Sequence, residues 1–151
     1  MPDVFISYST KDQGLADFVF RHLKAENIDV FMAAASLQSG EDWTETIKSN
    51  LRKAKTIIVL ASRLAMSSPF VMVEVGGAMF LEGKRIIPVI WDIEPIELPS
   101  WLARYQALDL RKLPHSEAFI TELKHVADKI KRDQLIGLGA LGAILFVLSK
   151  L

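Results

Sequence analysis

Thr56-Ile57-Ile58-Val59-Leu60-Ala61 is the stretch on which the fold turns. It is β-branched and apolar throughout, without the alternation of a half-exposed strand, so it reads as a central strand of a parallel sheet. Upstream, Val4-Phe5-Ile6 is a second buried strand, and Ser7-Tyr8-Ser9-Thr10 is the loop that leaves it. Helical spacing then runs from Lys11 or Asp12 to about Glu26, through Leu15, Phe18, Val19, His22 and Leu23. Asp29-Val30-Phe31-Met32 is another strand, followed by a long loop over 33–42 and a helix from Trp43 to about Ala54.

Downstream of the central strand, Ser68-Pro69 reads as an N-cap and first helical residue, and that helix should end near Gly83. Arg85-Ile86-Ile87-Pro88-Val89-Ile90 is a fourth strand whose proline suggests a position near an edge or a bulge. Gln106 to Leu110 is a short fifth strand, and Ser116 to Arg132 an amphipathic helix with Phe119, Ile120, Leu123, Val126, Ala127 and Ile130 inward. Strands alternating with helices imply right-handed crossovers. The expected class is α/β, a flavodoxin-like doubly wound five-stranded parallel sheet, plus a C-terminal hydrophobic helix. Ligands of such sheets lie beyond the carboxyl ends of the strands. Here those ends are Ser7–Ser9, Met32–Gln38, Ser62–Glu74 and Trp91–Asp92.

Composition narrows the function classes. The 151 residues support one full core, and 18 basic residues balance 18 acidic ones, which gives no electrostatic case for nucleic acid. There is no cysteine, so disulfides, thiol catalysis and cysteine-ligated zinc are excluded. His22, His115 and His125 show no metal spacing. Met1-Pro2-Asp3 leads straight into a strand, with no signal peptide visible.

One acid stands out at the expected ligand edge. Glu74 is the only charge between Arg63 and Glu82, and Phe70, Glu74 and Gly77 share a helix face by the i, i+4, i+7 rule. Two readings are open. Either Glu74 is a buried structural acid with a hydrogen-bond or salt-bridge partner, or it is a reactive carboxylate with an aromatic one turn before it and room for a ligand beside the glycines.

With its segments in order, the chain resembles a Toll/interleukin-1 receptor (TIR) domain from about Asp3 to Arg132. Asp3-Val4-Phe5-Ile6-Ser7-Tyr8-Ser9 with Asp12 is similar to the family's first box, and Leu37-Gln38-Ser39-Gly40-Glu41-Asp42-Trp43 to its second-strand loop. Ser68-Pro69-Phe70-Val71-Met72-Val73-Glu74 is similar to the segment in which enzymatic members carry an aromatic, three residues and the catalytic glutamate. Phe70 stands where that aromatic is usually tryptophan, and Ala33-Ala34-Ala35 where many relatives have polar residues.

The resemblance implies a bacterial NAD+-cleaving type: an NAD+ nucleosidase or ADP-ribosyl cyclase, often in antiphage defence, with NAD+ as substrate and no cofactor or metal. Glu74 would be catalytic, and Tyr8, Ser9, Leu37, Trp43 and Phe70 would shape the substrate site. Activity would depend on self-association through TIR–TIR contacts. The alternatives are a non-enzymatic signalling adaptor using the same loop as a docking surface, or a protein that interferes with host signalling.

The chemistry suits a single acid. Nicotinamide leaves NAD+ as a neutral base and needs no general acid, whereas a glycosidase must protonate a leaving oxygen and therefore uses two carboxylates. One carboxylate in an apolar setting can steady the ribosyl cation that remains.

Residues 134–151 form a second segment after the domain over 1–133. The uncharged run from Gln134 to Ser149 is about sixteen residues, roughly 24 Å as a helix. Gly137-Leu138-Gly139-Ala140-Leu141-Gly142 spells a dinucleotide fingerprint, but no strand precedes it and no ribose-binding acid follows. The expectation is a cytoplasmic domain held at the inner face of a membrane by this helix, or else a helix packed in an oligomer. A phospho-receiver is excluded because Leu60-Ala61-Ser62 lacks an aspartate at the third strand's end, and no glycine-lysine phosphate loop occurs.

Overall fold

The structure, a computed structural model, describes residues 2–32, 43–79, 83–113 and 115–149, excepting the side chains of 43–44, 69–70, 73, 78–79 and 137–149. Five strands form one parallel sheet: β1 (Val4–Ser7), β2 (Val30–Met32), β3 (Thr56–Leu60), β4 (Arg85–Ile90) and β5 (Leu108–Asp109). Their order, β2-β1-β3-β4-β5, is the doubly wound arrangement anticipated from the alternation of elements. The chain moves outward from β1 to β2, then returns to the other side of β1 at β3. That reversal makes the gap between the carboxyl ends of β1 and β3 the topological switch point.

Helices cover both faces. α1 (Gln13–Ala25) and α6 (Ser116–Ser149) pack on one side, where Val4, Ile6, Ile58, Leu60 and Val89 meet Ala16, Val19, Leu23, Phe119, Leu123 and Ala127. α2 (Trp43–Lys53) and α4 (Pro69–Met79) pack on the other, where Phe5, Ile57 and Val59 meet Ile47, Leu51, Val71 and Val75. Every residue of β3 is buried, which is why its sequence lacks alternation. Two single-turn helices, α3 (Arg63–Met66) and α5 (Ser100–Ala103), are too short to leave a periodic signature.

Pro88 was expected near an edge or at a bulge, and β4 is the strand next to the edge strand β5, paired on its other side with β3. The backbone explains the tolerance. Arg85 N–H donates to Lys55 O on the β3 side, so alternation turns the Pro88 nitrogen toward β5. β5 pairs only with Val89 and Ile90, and Pro88 thus lies where the neighbour is too short to ask for its missing N–H.

The first helix is preceded by a 3-10 turn at Thr10–Asp12 and closes on Asn27, whose φ of 62° is the left-handed conformation that asparagine tolerates. The last helix does not stop at Arg132. It runs unbroken through the 133/134 boundary to Ser149, tied at that point by Arg85 Nη2 to Asp133 Oδ2 at 2.9 Å and by Gln134 Nε2 to Asp3 Oδ1 at 2.7 Å. The membrane-anchor expectation finds no support: among the described residues no helix is long and apolar enough to cross a membrane. Its span of about 24 Å after Asp133 already falls short of a hydrocarbon core.

Candidate functional site

Strand alternation sends Val4, Ile6 and Tyr8 toward α1 and α6, and Phe5 toward α2 and α4. Ser7 shares the parity of Phe5, and as the last residue of β1 it delivers a hydroxyl to the sheet's carboxyl edge beneath α4. On α4, Val71 and Val75 bury against the same apolar cluster, and Glu74 lies beside Val75 in the helix. The outcome is a polar pair in an apolar layer: Ser7 Oγ donates to Glu74 Oε1 at 2.9 Å.

Glu74 is only 3% exposed. Its second oxygen, Oε2, is buried with no hydrogen-bond partner among the described residues. Burial pushes the carboxyl up to about 8, and the Ser7 hydroxyl pulls, less strongly than burial, in the opposite direction. No cation neutralises it among the described residues. A buried carboxyl normally comes with a partner because the unpaired group is costly, so one held half-satisfied at a switch point is a candidate reactive group.

A second polar link crosses the same gap. Ser62, buried just after β3, caps α3 by accepting from Ala65 N–H at 3.0 Å and donates to Asp12 Oδ2 at 2.5 Å. The loops leaving β1 and β3 are thereby joined over the switch point. Farther along the edge, Arg63 pairs with Glu97 at 3.2 Å and donates to the Asp92 carbonyl, while Arg111 joins Glu94 at 2.7 Å and Asp109 at 2.8 Å. The Arg111 guanidinium holds Asp109 below the usual carboxylate range. These pairs use up their charges in tying β4 and β5 to their loops.

The anticipated site residues fall in different places. Glu74 stands at the switch point. Tyr8 is 1% exposed and packs in the cluster under α1 and α6, its hydroxyl donating to Gln13 Oε1 at 3.3 Å, on the sheet face away from Glu74. Ser9 is half-buried and caps the 3-10 turn, accepting from Lys11 N–H at 3.3 Å. Phe70 and Trp43 lie on α4 and α2, and their side chains are outside the described residues, as is Leu37 altogether. Gly77, read as leaving room beside the acid, has Leu51 of α2 at its back: a Cβ there would sit 3.5 Å from Leu51 Cδ2. Among the described residues no group of three or more His, Asp or Glu could hold a metal ion.

Sequence reasoning missed Ser7, which it read as part of a loop. The signal was available: continuing the alternation of Phe5 by two residues puts Ser7 on the face that α4 covers.

A doubly wound parallel sheet with a buried acid at its β1–β3 edge defines the architecture, and comparison gives the family. The TIR domain model matches residues 4–124, and the chain belongs to that family. The TIR domain of the Toll-related receptor TRR-2 from Hydra magnipapillata is similar with a TM-score of 0.68 and 21% identity, over 85% of this chain and 99% of that one. The TIR domains of the activated Roq1 resistosome give a TM-score of 0.71 and 18% identity, over 83% and 99%. A TIR-STING receptor from C. gigas in complex with 2',3'-cGAMP gives 0.65 and 17% over 82% of this chain, but only 39% of that longer one. At these identities the likeness is one of fold. No curated protein matches the chain.

Proposed function

We propose that this TIR domain is an NAD+ nucleosidase or ADP-ribosyl cyclase of the bacterial type, acting in antiphage defence signalling when self-associated, with Glu74 as its catalytic carboxylate. The observation that carries the reading is the state of Glu74: buried at the switch point, bonded through one oxygen to Ser7, and with no cation partner or second hydrogen bond among the described residues. The bond between nicotinamide and ribose breaks with its electron pair leaving on the ring nitrogen, which ends neutral. The ribosyl cation is steadied by the carboxylate until water or an internal nucleophile adds and gives up its proton. Low local polarity strengthens that interaction. Tyr8 is not part of this reading, because its ring belongs to the opposite core. Ser9, Phe70, Trp43 and Leu37 remain proposed contacts. The similar resistosome, an assembly, and the similar TIR-STING receptor are in keeping with a signalling role that works through assembly.

A second reading, a non-enzymatic adaptor, draws on the same burial. A carboxyl 3% exposed can serve simply to hold α4 against β1. The two separate on one measurement. Full-length protein at high concentration, shown by light scattering to be assembled, is expected to release nicotinamide from NAD+. An assembled protein that releases none is the adaptor.

The protonation of Glu74 supplies an independent check. With the carboxyl at about 8, the empty site holds a proton at pH 7. A pyridinium cation close by favours the carboxylate, so binding a non-cleavable NAD+ analogue that keeps the positive ring should release about one proton per site. Calorimetry in two buffers of different ionisation enthalpy reads this directly. Equal heats in both would mean that the bound cation never meets Glu74.

A further inference from the structure

We propose that Ser7 is a positioning residue for Glu74: its hydroxyl holds Oε1, fixes the turn of the carboxyl group and leaves Oε2 as the oxygen that meets a cationic ligand. This rests on the reading of Glu74 as the group that steadies the ribosyl cation.

Ser7 pairs with Val59 in the parallel ladder between β1 and the central strand β3, both interior strands flanking the switch point, so its Cα is well fixed at the edge. Its side chain has one heavy-atom torsion and is fully buried. A hydroxyl in an apolar layer is costly unless bonded, and its bond goes to Glu74 across 67 residues of sequence. Glu74, by contrast, hangs from a helix by a flexible stem, and only an anchor at one oxygen sets where the other lies. Without it the carboxyl could rotate about its last torsion, which is broad and roughly two-fold.

The same bond acts electrostatically. A hydroxyl donor favours the carboxylate over the acid, opposing the burial that raises Glu74. Among the described residues, the elements packed most extensively on α4 are α3, α2 and β1, and its Val71 and Val75 share a cluster with the uncharged Ile57 and Val59 of β3. β1 carries no charge; α2 carries Glu45, Lys48, Arg52 and Lys53, and α3 carries Arg63. Lys48 pairs with Glu45 and Arg63 with Glu97, and none of these charges contributes to the shift of Glu74. Ser7 is therefore the polar lever on this acid among the described residues.

The test compares Ser7→Ala and Ser7→Thr in the full chain. Carboxyl-carbon NMR titration of Glu74 is expected to show its midpoint rising by about one pH unit in S7A, a tenfold change in proton affinity, and returning in S7T, which keeps the hydroxyl. Nicotinamide release should fall about tenfold or more in kcat with KM changed less than about threefold, its rising pH limb displaced upward by the same amount, again restored in S7T. An unmoved titration midpoint in folded S7A overturns the proposal. So does an S7T protein that folds but recovers neither the midpoint nor the rate. If wild type proves inactive while assembled, the catalytic reading falls instead, and the titration alone still decides whether Ser7 governs Glu74.

Discussion

Glu74→Gln is expected to lower nicotinamide release about a thousandfold, with KM little altered and the fold intact. The size follows from what the substitution removes. Glutamine keeps the shape and one oxygen for Ser7, but it cannot carry the negative charge that meets a developing ribosyl cation. Loss of one preorganised electrostatic contact in a water-poor site is worth on the order of 4 kcal/mol of transition-state stabilisation, hence about three decades in rate. Glu74→Ala should do at least as much damage while also leaving the Ser7 hydroxyl, now without its acceptor, in an apolar layer. The pair of variants is read by kcat under single-turnover conditions, with assembly state measured in parallel. Release that persists unchanged in both variants would strip Glu74 of its role.

The second large effect is on stability and appears without any substrate. Glu74 ordinarily ionises near 4.5 and is pushed up to about 8 in the folded chain. Between those values the native state holds a proton that the unfolded chain has lost, so stability falls as pH rises across this window. The favourable contribution is fully present below about 4.5 and gone above about 8. Linkage over this interval amounts to about 5 kcal/mol. Glu74→Gln has nothing to titrate there. Its denaturant midpoint, subtracted from that of wild type at each pH, should therefore gain on wild type from pH 4.5 to 8 and level off beyond. Differencing matters, because Asp109 and Glu97 are lowered rather than raised and lose their stabilisation as pH falls, the opposite sense. Parallel curves for the two proteins would mean that Glu74 is solvated as the carboxylate, and the site's electrostatic basis would be gone.

Much of this architecture was legible because its central strands are buried on both faces. Val4–Ile6 and Thr56–Leu60 read as unbroken apolar runs for that reason, and their alternation with helices pointed to a doubly wound parallel sheet. What was not legible had physical causes too. α3 and α5 have four residues each, a length at which the helical period does not repeat, and β5, anticipated over 106–110, is ordered as a strand only at Leu108–Asp109. Pro88 pointed to the neighbourhood of an edge, where β4 lies, but that its missing N–H faces a β5 too short to reach it is a matter of tertiary length, not of local sequence. Glu74 was found from its isolation in an apolar stretch. Ser7 was not, since a serine after Val4-Phe5-Ile6 looks like the start of a loop until the helix covering it is placed. Tyr8 was drawn toward the site by its position at a strand's end, but a tyrosine one residue out of phase with Ser7 must face the other way.

The tie of α6 to Asp3 and Arg85 has an outcome for how the domain can be handled. Asp3 precedes β1 and Arg85 begins β4, so both mark the pole where strands start, whereas Ser7 and Glu74 occupy the pole where they finish. Whatever is joined beyond Ser149, whether a surface, a bead or a fluorescent protein, is therefore steered to the far side of the molecule from the acid. Immobilised by that end, the domain would present the edge that carries Ser7 and Glu74 outward to solution.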